Sequence, residues 1–231
     1  MTLDLAEPAS ISRAVEETLE LTKGKLCALF NNGAYGQAGA VEDLRRDVLR
    51  AQFEANLFGT IDLTNRLIPL MRRQGYGRII MNSSVLGLIT LRYRGAYNAS
   101  KFALEGITDT LRMELAGSGI HVSLIAPGPI KSRFRANAFA AYQAHIDSKH
   151  SAHREIYQQM EQRLKKQGAA APFTLGPEAV LKKVVHALES KRPKPRYYVT
   201  VPTHLLAILR RLLSTRMLDR LLLKISRDEN R

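Results

Sequence analysis

Two side chains that exchange protons stand four positions apart in this sequence, and a serine precedes them at a fixed distance. Tyr97 is followed by Lys101, and Ser84 lies thirteen residues before Tyr97. Apolar residues recur every three or four positions between 96 and 115, which predicts a helix. Positions four apart share one helix face, so the Tyr97 hydroxyl and the Lys101 ammonium are expected to point into the same space.

This pair indicates proton transfer to or from an alcohol. A nearby ammonium favours the phenolate, so the pKa of Tyr97 is expected to fall from its ordinary value of about 10 toward neutrality. A tyrosine tuned in this way can act as a general acid or base. Tyrosine and lysine at this spacing also occur on solvated helix surfaces, so the interpretation depends on the elements around them.

Three short apolar runs are predicted to be strands, and each ends in small or polar residues. They cover residues 26–30, 78–82 and 121–125. Helical patterns separate them, at 9–22, 43–74 and 96–115, and a further helix is expected at 176–188. This alternation predicts an α/β fold with a parallel sheet, whose ligands bind at the carboxyl ends of the strands.

The sequence resembles the short-chain dehydrogenase/reductase family in an ordered set of residues: Asn31-Asn32, Asn56, Ser84, Tyr97, Lys101 and Pro127-Gly128. The similarity covers about residues 1 to 132 in register. It implies a Rossmann-like, doubly wound parallel sheet and an NAD(P)-dependent oxidoreductase that interconverts a carbonyl and an alcohol by hydride transfer.

The resemblance also implies a role for each catalytic candidate. Tyr97 is the general acid/base, and Lys101 lowers its pKa and holds the nicotinamide ribose. Ser84 binds the substrate oxygen, and Asn56 holds a water in the proton relay. A buried asparagine within a helix needs hydrogen-bond partners, so Asn56 can equally have a structural task, such as a bond to a strand carbonyl.

The predicted cofactor is NADP or NAD, with NADP favoured. By resemblance its contacts fall on Asp4, Leu5, Asn31, Gly33, Ala34, Tyr97, Lys101, Pro127, Gly128, Ile130 and Ser132. Residues 1–5 are expected to form a strand that carries Asp4 to the adenine; alternatively, Asp4 only helps the next helix to start. Gly33 and Ala34 stand in the reverse of the family order, and Ser132 replaces a threonine.

The Gly-rich turn that the family places before a diphosphate is not found in these 231 residues. The fold is therefore expected to lack the first β-α-β unit. A start codon assigned too late, a truncated gene, or a short form without cofactor binding would each explain this. The alternative to an enzyme is a catalytically silent binding or interaction protein, or a gene fragment, that has lost the dinucleotide.

Length and composition narrow the class of protein. The 231 residues suit one domain, and a single cysteine, Cys27, excludes a disulfide framework and is expected to pack inside a strand. No signal peptide or long apolar run is found, which favours the cytoplasm. The net charge of +14 comes without a nucleic-acid-binding motif, so nucleic acid is not expected, and no spacing fits a metal site.

Two later segments are distinctive. Residues 133–172 resemble a mobile substrate lid. Residues 203–231 form an amphipathic helical tail with basic residues on one face. This tail is expected to pack on its own domain or a subunit, or to contact an anionic membrane peripherally. It resembles the tails of aldehyde and retinoid-type reductases, which suits a lipophilic aldehyde or ketone. Helices 43–74 and 96–115 are those that the family pairs in homodimers or homotetramers.

Overall fold

The computed structural model describes residues 2–165, 168 and 171–228. In this part of the chain, four parallel strands form one sheet in chain order. The strands are β1 (Ala28–Asn31), β2 (Gly77–Asn82), β3 (Ile120–Ala126) and β4 (Arg196–Tyr198). Asn31 is paired with Met81, and Asn82 with Ile125, so the carboxyl ends of the first three strands meet at one edge. The predicted α/β fold with a parallel sheet is confirmed.

Nine α-helices are present in the same residues. They are α1 (Pro8–Leu21), α2 (Arg46–Phe53), α3 (Gly59–Gln74), α4 (Gly95–Glu114), α5 (Phe134–His145), α6 (Arg154–Lys165), α7 (Glu178–Glu189), α8 (Val201–Leu212) and α9 (Thr215–Asp228). The helix predicted over 43–74 is interrupted: a 3-10 turn (Val41–Asp43) precedes α2, and a π-helical turn (Glu54–Phe58) separates α2 from α3.

Helices cover the sheet on both faces because its strands are apolar on both sides. In β2, Ile79 and Met81 pack in a cluster with residues of α3 and α4, such as Met71 and Leu104. Ile80 points the other way and packs in a cluster with α7. Alternate residues of a strand face opposite sides, so this continuous apolar run produces a sheet buried between two helical layers.

Helices α5 and α6 are anchored to the segment before α2. Tyr142, Tyr157 and Met160 are almost fully buried in one cluster with Leu44 and neighbouring residues. The Tyr157 hydroxyl accepts a hydrogen bond from the Ala40 amide at 2.9 Å and donates to Asp43. The segment predicted as a mobile lid is therefore packed onto the body of the domain where the structure describes it.

Two expectations about local structure are wrong, and one strand was not predicted. Residues 2–5 contain no strand, and Met1 lies outside the described residues. The backbone of Asp4 is bonded instead to the start of α1, since its amide donates to Ser10 Oγ at 3.0 Å and its carbonyl accepts from the Glu7 amide at 3.2 Å. Cys27 precedes β1 and is exposed, with its Sγ 3.2 Å from the Tyr76 hydroxyl. The short strand β4 was not predicted, since proline and lysine residues precede its three residues.

None of the described helices is long and apolar enough to cross a membrane.

We predict that Gly59→Ala destabilises the fold. A Cβ at this position in α3 would lie 1.7 Å from the Leu5 carbonyl oxygen, so the N-terminal segment must move. Overpacking against backbone costs about 1–3 kcal/mol in the free energy of unfolding, measured by urea denaturation.

Gly106→Ala in α4 is the matched control, since nothing lies within 4 Å of its added Cβ. Alanine in a helix interior is expected to raise the free energy of unfolding by about 0.5–1 kcal/mol. Equal effects of the two changes would contradict the close approach of Leu5 to Gly59.

Candidate active site

Helix α4 brings Tyr97 and Lys101 together at its amino end. Their residues are 8% and 2% exposed, so both functional groups are withdrawn from water. The Lys101 Nζ donates to the carbonyl oxygen of Asn82 at 2.8 Å, at the end of β2. It lies 5.7 Å from the centroid of the Tyr97 ring. The helix and the neighbouring strand thus place a buried ammonium below the phenol.

Ser84 follows β2 in extended conformation and faces the same space. Its Oγ accepts a hydrogen bond from the Leu86 amide at 3.1 Å, which holds the side chain at the start of a short 3-10 turn. The Ser84 hydroxyl also interacts with Tyr97 and favours its phenolate form. The structure therefore brings Ser84, Tyr97 and Lys101 into one cluster at the carboxyl ends of the strands.

The expected fall in the pKa of Tyr97 is wrong for this arrangement. Burial raises the pKa of Tyr97 to about 12, although the hydrogen bond from Ser84 and the positive charge of Arg94 act in the opposite direction. At neutral pH the Tyr97 phenol therefore keeps its proton.

Lys101 is shifted in the complementary direction. Burial lowers its pKa to about 8, and the negative charge of Glu105 opposes this shift. A folded-state pKa near 8 leaves Lys101 charged in neutral solution and neutral in more alkaline solution. The site accordingly combines a protonated phenol with an ammonium that is close to losing its proton.

Asn56 lies in the π-helical turn and is 1% exposed. Its Oδ1 accepts from the Tyr35 amide at 3.1 Å, and its Nδ2 donates to the Tyr35 carbonyl at 2.9 Å and the Ser100 hydroxyl at 3.2 Å. These bonds tie the loop after β1 to α4. The structure thus supports the structural alternative for this side chain, and single π-turns of this kind are frequent at functional sites.

The loops assigned to the cofactor lie at the same edge of the sheet. Asn31 ends β1, and Gly33 and Ala34 follow it; Pro127, Gly128 and Ile130 follow β3. The side-chain oxygens Oδ1 of Asn31 and Asn82 are buried and have no hydrogen-bond partner in the described part of the chain. Unpaired amide oxygens and a lysine ammonium fit the hydroxyls and carboxamide of a nicotinamide riboside.

Three further cofactor candidates have local partners. The Asp4 carboxylate accepts from the Ala6 amide at 2.9 Å, which is the alternative role of preparing the turn into α1. Leu5 fills the space beside Gly33, where an added Cβ would lie 2.7 Å from its Cδ1. The Ser132 hydroxyl accepts from the Phe134 amide at 3.3 Å.

The C-terminal helices cover the cluster of Ser84, Tyr97 and Lys101. Leu206 of α8 and Leu222 of α9 are buried in one apolar cluster with Tyr97, Leu86 and Ile89. Phe134 adds an aromatic ring whose centroid lies 5.2 Å from that of Tyr97. This cover explains the burial of the phenol, and it makes the surroundings of the reacting atoms apolar.

Sequence reasoning missed Phe134, Glu105 and Arg196 as neighbours of the site. Glu105 carried a usable signal, because it is a carboxylate one helical turn after Lys101, on the helix face that carries Tyr97 and Lys101. The contacts of Phe134 and Arg196 join residues far apart in the sequence and had no local signal. Among the described residues, no group of three or more His, Cys, Asp or Glu side chains could hold a metal ion.

Comparison with known proteins gives the same family from several directions. A sequence model described as "short chain dehydrogenase" matches residues 1–143. The uncharacterized oxidoreductase YbbO of Escherichia coli K12 is 46% identical over 220 residues, which are 95% of this chain and 76% of that protein. The NADPH-dependent 3-dehydrocapnine reductase of Ornithobacterium rhinotracheale is 31% identical over 229 residues, 97% of this chain and 79% of that protein.

Solved structures share the fold. A short-chain dehydrogenase/reductase from Burkholderia phymatum, determined in complex with NAD, is similar with a TM-score of 0.74 and 24% identity. The match covers 91% of this chain and 73% of that one. The family model spans more than half of the sequence, and the cluster of Ser84, Tyr97 and Lys101 lies within it. The chain belongs to the short-chain dehydrogenase/reductase family of oxidoreductases.

Proposed function

We propose that the protein reduces a lipophilic aldehyde or ketone to an alcohol, and catalyses the reverse reaction, with NADPH or NADH as hydride donor. The observation that carries this proposal is the joint placement of Ser84, Tyr97 and Lys101 beneath an apolar cover. The name of the Ornithobacterium relative supports NADPH for that protein and, by similarity, for this one.

Each residue of the site has its own role in the proposed reaction. The bound dinucleotide supplies the hydride. Ser84 donates a hydrogen bond to the substrate oxygen and aligns it with the Tyr97 hydroxyl. Tyr97 holds its proton with a pKa of about 12, so it is suited to protonating the oxygen that becomes negative during reduction. Lys101 and the unpaired oxygens of Asn31 and Asn82 hold the nicotinamide ribose and carboxamide.

The apolar cover supports a lipophilic substrate. Val85, Leu86 and Ile89 on one side and Leu206 and Leu222 on the other enclose the Tyr97 ring. Binding of a hydrocarbon chain against such a lining is favourable, and the lining excludes water from the reacting oxygen.

We further propose a homodimer or homotetramer formed through α3 and α4. Three large apolar residues on or beside these helices are exposed: Phe58 by 52%, Ile107 by 40% and Met113 by 63%. Apolar side chains that are exposed on helices packed to their own sheet are suited to a subunit interface.

We predict that Tyr97→Phe abolishes turnover. The change removes the proton donor while keeping the ring and its packing, so the rate of NADPH oxidation with a panel of aliphatic and aromatic aldehydes should fall roughly 10²–10⁴-fold. Tyr76→Phe is the control, because Tyr76 is 47% exposed and lies outside the site; its rate should equal that of the wild type.

The companion measurement is a fluorescence titration with NADPH and NADH. Equal binding to the wild type and to Tyr97→Phe, together with the lost turnover, is the expected result. Wild-type turnover in the variant would remove Tyr97 from the mechanism. If neither dinucleotide binds, the chain is a catalytically silent member of the family.

The outer face of α8 supports a second proposal, that this cytoplasmic protein binds reversibly to an anionic membrane surface. Val201, Leu205, Ile208 and Leu212 share one helix face and are 54–74% exposed. The opposite face is buried. Residues 201–227 carry six basic side chains and one acidic one, so the stripe lies in a positively charged region that complements anionic lipid.

We predict that Leu205→Asp combined with Ile208→Asp abolishes flotation with vesicles of phosphatidylserine and phosphatidylcholine. The wild type should float with these vesicles, and less at high salt, since screening weakens the charge attraction. The matched control carries Leu181→Asp and Val185→Asp on α7, which are also exposed and four residues apart. Loss of flotation in both variants, or no flotation of the wild type, would refute this proposal.

A further inference from the structure

A buried carboxylate lies one helical turn beyond Lys101. The side chain of Glu105 is 8% exposed and belongs, like Lys101, to the buried face of α4. The turn at Gly87 packs directly on this place: an added Cβ there would lie 2.9 Å from Glu105 Cγ, 2.7 Å from Ser83 Oγ and 3.1 Å from the Lys101 carbonyl oxygen. Glu105 is thus enclosed between α4 and the loop that presents Ser84.

Arg196 of β4 holds this carboxylate in place. Its Nη2 lies 2.5 Å from Glu105 Oε2 and 3.0 Å from Asp109 Oδ2. Asp109 is also bound by Arg112 at 3.0 Å. Burial raises the pKa of Glu105, while the positive charge of Arg196 and its hydrogen bond act in the opposite direction and favour the ionised carboxylate. Only one oxygen of Glu105 is used, because Oε1 has no hydrogen-bond partner among the described residues.

The charge of Glu105 matters to Lys101 because both are buried. Residues four apart on a helix have Cβ atoms about 6 Å from one another, and the low local polarity strengthens their attraction. Burial lowers the pKa of Lys101 to about 8, and Glu105 opposes that shift. The neutral Tyr97 phenol and the Asn82 carbonyl lie beside the Lys101 ammonium, while Arg196 faces Glu105 and Asp109.

We propose that Glu105, fixed by Arg196, is a positioning residue that keeps the buried side chain of Lys101 positively charged. The catalytic importance of this charge rests on the proposed oxidoreductase function; the coupling itself does not. The ion pair of Glu105 and Arg196 could also have the purely structural role of linking β4 to α4. In that case, removal of the Glu105 charge would leave the protonation of Lys101 unchanged.

The test is the titration of Lys101 in protein labelled with ¹³C-lysine, followed by NMR without cofactor or substrate. The Lys101 signal is identified by its absence in Lys101→Arg. In the wild type it should titrate near pH 8, well below exposed lysines at about 10.4. In Glu105→Gln, which keeps shape but loses charge, the midpoint should move about one unit lower or more.

Asp109→Asn is the matched control, because it also loses a contact to Arg196 yet keeps Glu105 charged; its Lys101 midpoint should stay at the wild-type value. The double variant Glu105→Met with Arg196→Met provides the same test should the glutamine variant fail to fold, since apolar residues often replace both partners of a buried ion pair without loss of stability. Unchanged midpoints in the Glu105 variants would overturn the proposal, and so would an equal shift in Asp109→Asn.

The activity profile separates the two proposals. If the protein is active, the alkaline limb of turnover against pH should move downward in Glu105→Gln by the same amount as the Lys101 midpoint. A midpoint that moves in a protein without turnover supports the coupling and counts against the oxidoreductase function. An active protein whose Lys101 midpoint does not respond to Glu105 keeps the function and loses the coupling.

Discussion

Burial of the Lys101 ammonium is the constraint on which the catalytic end of this domain depends. A charge at 2% exposure must be compensated by fixed dipoles and charges, and the surrounding structure provides both. The Asn82 carbonyl accepts a hydrogen bond from Lys101. Glu105, which is held in place by Arg196, provides the opposite charge. Strands β2 and β4 are thereby tied to α4 beside the cluster of Ser84, Tyr97 and Lys101.

The same burial determines the state of Tyr97. The C-terminal helices and Phe134 remove water from the phenol, and they raise its pKa more than the nearby hydrogen bond and positive charge lower it. At neutral pH the Tyr97 phenol therefore keeps its proton. In the proposed reduction, such a phenol gives its proton to the developing alkoxide.

The grouping of Ser84, Tyr97 and Lys101 could be predicted from sequence because spacing within one helix and at the end of one strand determines it. The three longer strands were predictable for a similar reason, since each is an apolar run with turn residues behind it. Tyr97's pKa was not predictable, because the residues that bury it, such as Leu206 and Leu222, lie more than 100 positions away. Strand β4 is three residues long, too short for a periodic pattern.

The π-helical turn at Glu54–Phe58 determines how the buried face of α2 is rotated relative to the buried face of α3. A π-turn holds one residue more than an α-helical turn, and each residue of an α-helix turns the chain by about 100°. Val48 before it is buried under α5 and α6, whereas Met71 after it is buried against the sheet. Deleting one residue within the turn would regularise the helix while rotating these two apolar faces out of phase. The π-turn thus sets the rotation of α2 relative to α3, so that each helix buries its apolar face in a different cluster.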